Sequence, residues 1–342
     1  MTIPSYGSHL PDPYICPENV GHALVAAAKE GNAREVQALI KCPDVDINHA
    51  DRSRLDEPGI LGSHTALFLA SRYGHEEVVD VLLQHPEIDI NHGSSYKRTP
   101  LFLAIGNGHL TIAKLLLNDN RTDVNTAGGS KSERYPSPLN MAIGNVRRKE
   151  GYMEVIKQLI SHPEIDINKV SGRYGTPLFQ ACLMEEVEVV KILISHPQID
   201  INKANSRTGM NPLLLTSKKG YAGVVQMLLT HQGVHVNQAD RNGNSPLFLA
   251  SKEGHVDVVK TLLADQRVDV NQAGPGKATP LFIATMRGNV EVVKTLLSDQ
   301  RVDVHQPDER GFTPLFTASV VSSYRRLFDE SLEIVKLLLA DP

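Results

Sequence analysis

The stretch SPLFLASKEGHVDVVKTLLADQRVDVNQAGPGKA, Ser245 to Ala278, carries the reading of the whole chain. Ser245 is placed to accept a backbone N–H as a helix N-cap, and Pro246 suits the first helical position. Leu247, Phe248, Leu249 and Ala250 begin a short helix. Gly254 ends it, because glycine accepts the left-handed backbone that stops helices. A second helix starts near His255. Its Val258, Val259, Leu262 and Leu263 follow the i, i+1, i+4, i+5 spacing of one buried face. Val268-Asp269-Val270-Asn271 alternates apolar and polar, as a short strand does, and Gly274-Pro275-Gly276 is a turn. The unit reads as helix, turn, helix and protruding hairpin.

Outward from this stretch the same phrase recurs nine times, its first residue at His22, Thr65, Thr99, Ser137, Thr176, Asn211, Ser245, Thr279 and Thr313. The intervals are 43, 34, 38, 39, 35, 34, 34 and 34, one 34-residue unit with insertions. A fixed period of this size specifies an array rather than a globule, so its 342 residues form one continuous body. Every cap position except His22 is Ser, Thr or Asn. Later in each unit stands Asn, at 48, 91, 125, 168, 202, 237 and 271, with His305 in the eighth copy. Stacked in register, these amides are expected to bond to the backbone of the neighbouring hairpin and form a structural ladder.

This pattern resembles the ankyrin repeat. The resemblance is carried by the cap-Pro-Leu phrases, the Gly-His pairs (Gly74-His75, Gly108-His109, Gly254-His255), the Val-Val helix faces and the Asp-Val-Asn or Asp-Ile-Asn hairpins. It implies an all-α solenoid of stacked helix-turn-helix-hairpin repeats, curved with a concave face, over residues 20–342, after an extended lead-in at 1–19. There, Tyr14 and Ile15 are placed to cover the first helix pair. The chain departs from the family in having Phe where His usually follows Pro-Leu, and in one extra residue after helix 2, where His-Pro or Asp-Gln replaces Gly-Ala.

Composition narrows the function classes. Net charge is -4 and there is no Trp, which argues against nucleic acid and against stacking platforms for single strands. No apolar run reaches membrane-spanning length, and the start lacks the pattern of a secretory signal. Three scattered cysteines, Cys16, Cys42 and Cys182, suit a reducing compartment better than a disulfide framework. The expected location is cytoplasmic, or the host cytosol for a translocated effector.

One column looks like metal ligands: Cys42, His85, Asp119, His162, His196, His231, Asp265 and Asp299. One such residue per layer, with layers roughly 8–10 Å apart, cannot gather ligands at about 2 Å, so no metal is expected. No phosphate-binding glycine loop, nucleophile elbow or zinc-protease motif occurs, so neither an enzyme nor a cofactor is expected. Cys182 reads as a core residue.

The insertions break the period at 49–64, where Leu55, Pro58, Ile60 and Leu61 are too apolar for a purely solvated loop. They also break it at 126–136, at 145–153 and at 320–331. A partner contact is one use for them and drift the other. The chain stops before the next expected hairpin and reads as a fragment.

What varies around the phrase is the candidate surface. The resemblance implies that hairpin tips and the end of the inner helix face partners. At that helix end lie Lys29, Arg72, Lys218, Lys219, Lys252 and Arg287 against Glu30 and Glu253, with Tyr73, Asn107, Met286, Val320 and the apolar pair Leu183-Met184. The tips add Tyr96, Lys97, Arg98, Lys131, Arg134, Arg173, Arg207, Arg241 and Lys277, partly offset by Asp51, Asp56, Glu57 and Glu133. Such a face suits an acidic or extended protein segment. The leading reading is a monomeric, non-enzymatic scaffold that binds a partner protein. The alternatives are the substrate-recognition part of a larger multidomain enzyme or translocated effector, nucleic-acid binding through basic fingers, and hydroxylation of the hairpin Asn residues as the resemblance implies.

Overall fold

The computed structural model describes residues 17, 19–51, 64–94, 96–126, 136–324 and 328–340, with the backbone only at 173, 321–324 and 328. The readings made on Tyr14 and Ile15, on the 52–63 and 127–135 insertions and on the Arg173 side chain lie outside the described residues. The chain divides into two compact units, Met1–Arg173 and Tyr174–Pro342.

In the first unit the inner helices are α1 (Val20–Glu30), α3 (Ala66–Tyr73), α5 (Pro100–Asn107) and α7 (Pro138–Asn145), and the outer ones α2 (Ala33–Leu39), α4 (Glu76–Leu83), α6 (Leu110–Leu117) and α8 (Tyr152–Ser161). In the second the inner helices are α9 (Pro177–Leu183), α11 (Pro212–Lys219), α13 (Pro246–Glu253), α15 (Pro280–Arg287) and α17 (Pro314–Tyr324). The outer ones are α10 (Val187–Ile194), α12 (Ala222–Leu229), α14 (Val256–Leu263), α16 (Val290–Leu297) and α18 (Phe328–Ala340). Within each unit every inner helix packs on the next inner helix, every outer helix on the next outer one, and each inner helix on its outer partner. Each unit is therefore a two-layered helical stack, the repeat solenoid that the period requires.

The recurring phrase starts the inner helices as read. Thr65, Thr99, Ser137, Thr176, Asn211, Ser245 and Thr279 each accept the N–H of the residue three places on. His22 is not a cap: α1 begins two residues earlier, at Val20. Inner helices lie between neighbours on both sides, so α13 buries every residue from Pro246 to Ser251. Outer helices bury one face only, as Val258, Val259, Leu262 and Leu263 do in α14.

The strand reading is corrected. Among the described residues there is no strand, only an isolated bridge between Asp51 and His64. The alternation at 268–271 reflects burial of Val268 and Val270, while the backbone bonds to side chains of adjacent repeats instead of to a partner strand. Asn237 accepts the Asp269 N–H at 2.9 Å and donates to the Arg267 carbonyl at 2.8 Å. Asn271 repeats this on Asp303 and Arg301, as Asn48, Asn91, Asn125 and Asn202 do in their own repeats.

The metal-like column also has a structural role. His85, His162, His196 and His231 accept, through Nδ1, the N–H two residues on. Asp119, Asp265 and Asp299 do the same, and there the residue two places on is an arginine that forks back onto the carboxylate. Each of these arginines also reaches a carbonyl of the preceding repeat: Arg121 to Leu83 and Pro86, Arg267 to Leu229, Arg301 to Leu263. The guanidinium bonds hold all three carboxyls below the usual aspartate range.

One further expectation is corrected: Cys42 is disulfide-bonded, although the scattered cysteines suggested no disulfide framework. Cys182 is the free cysteine among the described residues, wholly buried, and burial pushes its thiol far up. The insertions after α7 and α17 tie down or extend the helices beside them. Tyr152 donates to the Ile105 carbonyl at 2.7 Å and Lys149 to Gly108 at 2.7 Å, tying the first of them onto α5. The second lengthens its helices to 11 residues in α17 and 13 in α18.

Candidate partner-binding surface

In the first unit, Arg72 and Tyr73 end α3, where the Arg72 guanidinium lies 5.6 Å from the Tyr73 ring centroid. Tyr73 packs against the core cluster that includes Phe68 and Phe102. Asn107 donates to the Arg72 carbonyl at 3.0 Å, so its amide is already committed to the neighbouring repeat. The His109 ring nitrogen Nε2 meets the same carbonyl at 3.0 Å. At the next tip, Arg98 lies 5.7 Å from the Tyr96 ring, and exposed Lys97 between them has φ of 55°. A side chain in this left-handed region costs roughly 1–2 kcal/mol. Strain of this kind collects where a side chain has a use. Lys277 stands at the same place in its repeat with φ of 58°, whereas Gly209, Gly243 and Gly311 fill it elsewhere.

His64 supports this face from beneath. It is 1% exposed, stacks on Phe68 with ring centroids 4.8 Å apart, and neither ring nitrogen has a hydrogen-bond partner. Burial first, then Arg72 and His92, push its pKa below 6.5, with Asp51 opposing them. A histidine whose folded pKa is depressed leaves stability intact above the unfolded value and loses it as pH falls through that value towards the folded one. The first unit is therefore expected to melt at progressively lower temperature below about pH 6.5. His64→Phe keeps the stacked ring and should flatten that slope in melting curves between neutral and mildly acidic pH; an unaltered slope would rule His64 out as its source.

In the second unit Leu183 ends α9 at 41% exposure, and Met184 is half-buried with its sulfur 4.0 Å from Gln180 Nε2. Glu185 follows with φ of 56°, at the place Gly220, Gly254 and Gly288 fill in later repeats. Lys218, Lys219 and Arg287 are exposed and Lys252 half-exposed, all in the last turns of their helices, where positive charge suits the helix dipole. No ion pair or side-chain hydrogen bond engages these four cations among the described residues. Arg241 differs: its guanidinium donates to the Ser206 carbonyl at 2.6 Å and lies over Gly209.

A groove of about 480 Å³ runs beside two of these cations, Lys252 and Arg287. Phe248, Phe282, Met286, Phe312, Phe316 and Val320 line it, and Phe312 stacks on Phe316 at 4.7 Å. Lys252, Arg287 and Arg310 stand on its rim together with Asp308 and Glu309.

A family model described as Ankyrin repeats (3 copies) matches residues 24–128, 198–274 and 267–342, and one described as Ankyrin repeat matches 173–203. The chain belongs to the ankyrin repeat family. No curated protein matches it. Ankyrin repeats are generally protein–protein interaction modules and typically not enzymes. Among the described residues, no helix of this ankyrin repeat protein is long and apolar enough to cross a membrane, and no three metal-ligating side chains cluster.

The sequence reading placed Lys252, Met286, Arg287 and Val320 on this surface but missed Arg310 and the phenylalanines of the groove. In the ankyrin phrase of this chain the fourth residue is a buried phenylalanine at 68, 102, 179, 248 and 282, yet Phe316 is 48% exposed. The available signal was Phe312. Its position, one before the cap, holds His64, Arg98, Pro136, Gly175, Met210, Asn244 or Ala278 in the other repeats.

Proposed function

We propose that this ankyrin repeat protein is a non-enzymatic, monomeric scaffold that binds an acidic or extended segment of a partner protein. It does so through the C-terminal ends of its inner helices and the adjoining tips. Leu183, Met184, Lys218, Lys219, Lys252 and Arg287 contribute in the second unit, and Arg72, Tyr73, Tyr96, Lys97 and Arg98 in the first. The observation that carries this reading is the exposed, unpaired Lys218-Lys219 pair, set against a fold whose other recurrent polar side chains are committed to neighbouring repeats. Side chains left over from such a stack are available for recognition, and rigid stacking lowers the entropy lost on association. Asn107 and Arg241 are assigned to holding the surface, since their polar groups already serve the adjacent repeat.

The test is charge reversal. Lys218→Glu with Lys219→Glu is expected to weaken binding of a partner recovered by affinity capture and mass spectrometry at least tenfold, roughly 1.4 kcal/mol. The loss should shrink at high salt, and the melting temperature should stay where it is. Titrations that superimpose on the parent protein's would overturn the assignment.

A further inference from the structure

We propose that the groove over α13, α15 and α17 takes an extended peptide whose bulky apolar side chains rest on its exposed Met286, Phe312, Phe316 and Val320 and whose carboxylates meet Lys252, Arg287 and Arg310. This rests on the reading of the chain as a partner-binding scaffold and names the ligand of one part of that surface.

Three observations point the same way. First, apolar exposure is concentrated here. Met286 at 40%, Phe312 at 39%, Phe316 at 48% and Val320 at 40% are four of the nine most exposed large apolar side chains among the described residues, and all four line this groove. Scattered exposed apolar residues need no explanation, but a contiguous set with a charged rim marks a binding site.

Second, the rim's charge is not balanced. Asp308 is occupied in shaping the tip: its Oδ1 accepts the N–H groups of Arg310 and Phe312 at 2.9 and 2.8 Å. Asp308 and Glu309 bring two negative charges against the three positive ones of Lys252, Arg287 and Arg310, with Lys277 on the adjoining tip. Lys277 is held in the left-handed region, where glycine would be the unstrained choice. A ligand bringing carboxylates completes this rim, and one bringing cations is repelled.

Third, the floor has a spacing. Met286 and Val320, both exposed, hold the same place in successive repeats, whose inner helices α15 and α17 pack directly on one another. Packed helices lie roughly 8–10 Å apart. A chain in the polyproline-II conformation rises about 3.1 Å per residue with three residues per turn, so apolar residues three positions apart share one face and fall in register with Met286 and Val320. The tips bounding the groove are themselves joined, since the Glu309 N–H donates to the Gly276 carbonyl at 2.8 Å. The rim is thus continuous between these two tips.

The experiment is selection of random linear peptides displayed on phage against the full chain, followed by titration of the synthesised winners by fluorescence polarisation. The expected winners carry two bulky apolar residues about three positions apart with Asp or Glu beside them. Met286→Glu, and separately Lys252→Glu with Arg287→Glu, should weaken them at least tenfold. Phe316→Ala supplies a second apolar variant, and melting curves establish that each variant is folded. Winners that are basic, that lack an apolar anchor or that bind all variants equally would overturn the proposal. So would an absence of winners, while the Lys218-Lys219 test on a recovered partner would still stand or fall separately. Sedimentation showing a dimer that Met286→Glu dissociates would assign the groove to a second copy of the chain and equally overturn it.

Discussion

Gly220→Ala is expected to destabilise the second unit by about 2–3 kcal/mol, although it adds a single methyl group. Gly220 terminates α11 with φ of 81°, and its N–H bonds to the Thr216 carbonyl. A methyl there meets two obstacles. The left-handed backbone disfavours any Cβ by roughly 1–2 kcal/mol. The new atom would also lie 2.7 Å from Nδ1 of His255, in the next repeat. That imidazole is not free to retreat, because its Nε2 bonds to the Lys218 carbonyl at 2.9 Å. Facing a carbonyl, Nε2 must carry the proton, so displacing the ring breaks a real bond and orphans an acceptor at a helix end. A double-mutant cycle separates the two contributions. His255→Ala alone removes the inter-repeat bond, and in that background Gly220→Ala should retain only its backbone cost, a coupling of about 1 kcal/mol. Arrays need not unfold in one step, so urea denaturation should be paired with hydrogen exchange across α11 and α12. A cost that His255→Ala leaves untouched would locate the whole effect in the backbone.

The same pair shows what the sequence makes legible. A Gly-His dipeptide announces a helix end and a new start, because cap chemistry is local and each repeat states it again. What the dipeptide cannot announce is that the histidine serves the glycine one repeat earlier, 35 residues away in this case. The Asn ladder was legible because an amide recurring at one place in a stack has few other tasks. The Asp-Arg staples were not: the aspartates were read as one column, and the arginines two places on had no visible partner until the preceding repeat's carbonyls were positioned. Val268 and Val270 were misread for a related reason. Alternating burial has period two whether a backbone pairs with another strand or with side-chain amides, and sequence reports only the burial. At the surface, Lys29, Lys218, Lys219 and Arg287 at the ends of inner helices are exposed as read, whereas Arg72 and Lys252 are half-buried. The exposure of Phe316 was not legible, because the rule that buries that position depends on what covers it. Glu185, occupying a glycine's backbone with φ of 56°, also escaped notice.

The second large effect is expected at Asn140, the one place where the phrase reads Ser-Pro-Leu-Asn. Asn140 is 0% exposed, in a slot that phenylalanine fills in most repeats, so hydrophobic replacement looks harmless on the repeat pattern. The local network argues otherwise. Asn140 Oδ1 accepts the hydroxyl protons of Ser137 at 2.8 Å and Ser171 at 3.1 Å, and both serines are 2% exposed. Ser171 Oγ in turn accepts the Ser137 N–H at 2.9 Å, so the amide orients the group that satisfies the cap residue's own backbone. Asn140→Leu would leave two buried hydroxyls without an acceptor, at roughly 1–3 kcal/mol for each orphan that cannot turn elsewhere. The burial of the leucine methyls offsets part of that, leaving about 2 kcal/mol of destabilisation. Adding Ser171→Ala removes that orphaned hydroxyl but strips the Ser137 N–H of its acceptor, so the two changes should nearly cancel and leave the loss in urea unfolding of the full chain about the same. A neutral or stabilising Asn140→Leu would show that the repeat rule outweighs the network. A loss that Ser171→Ala deepens would show that the Ser171 bond to the Ser137 N–H, rather than the Asn140 acceptor, holds this end of α7.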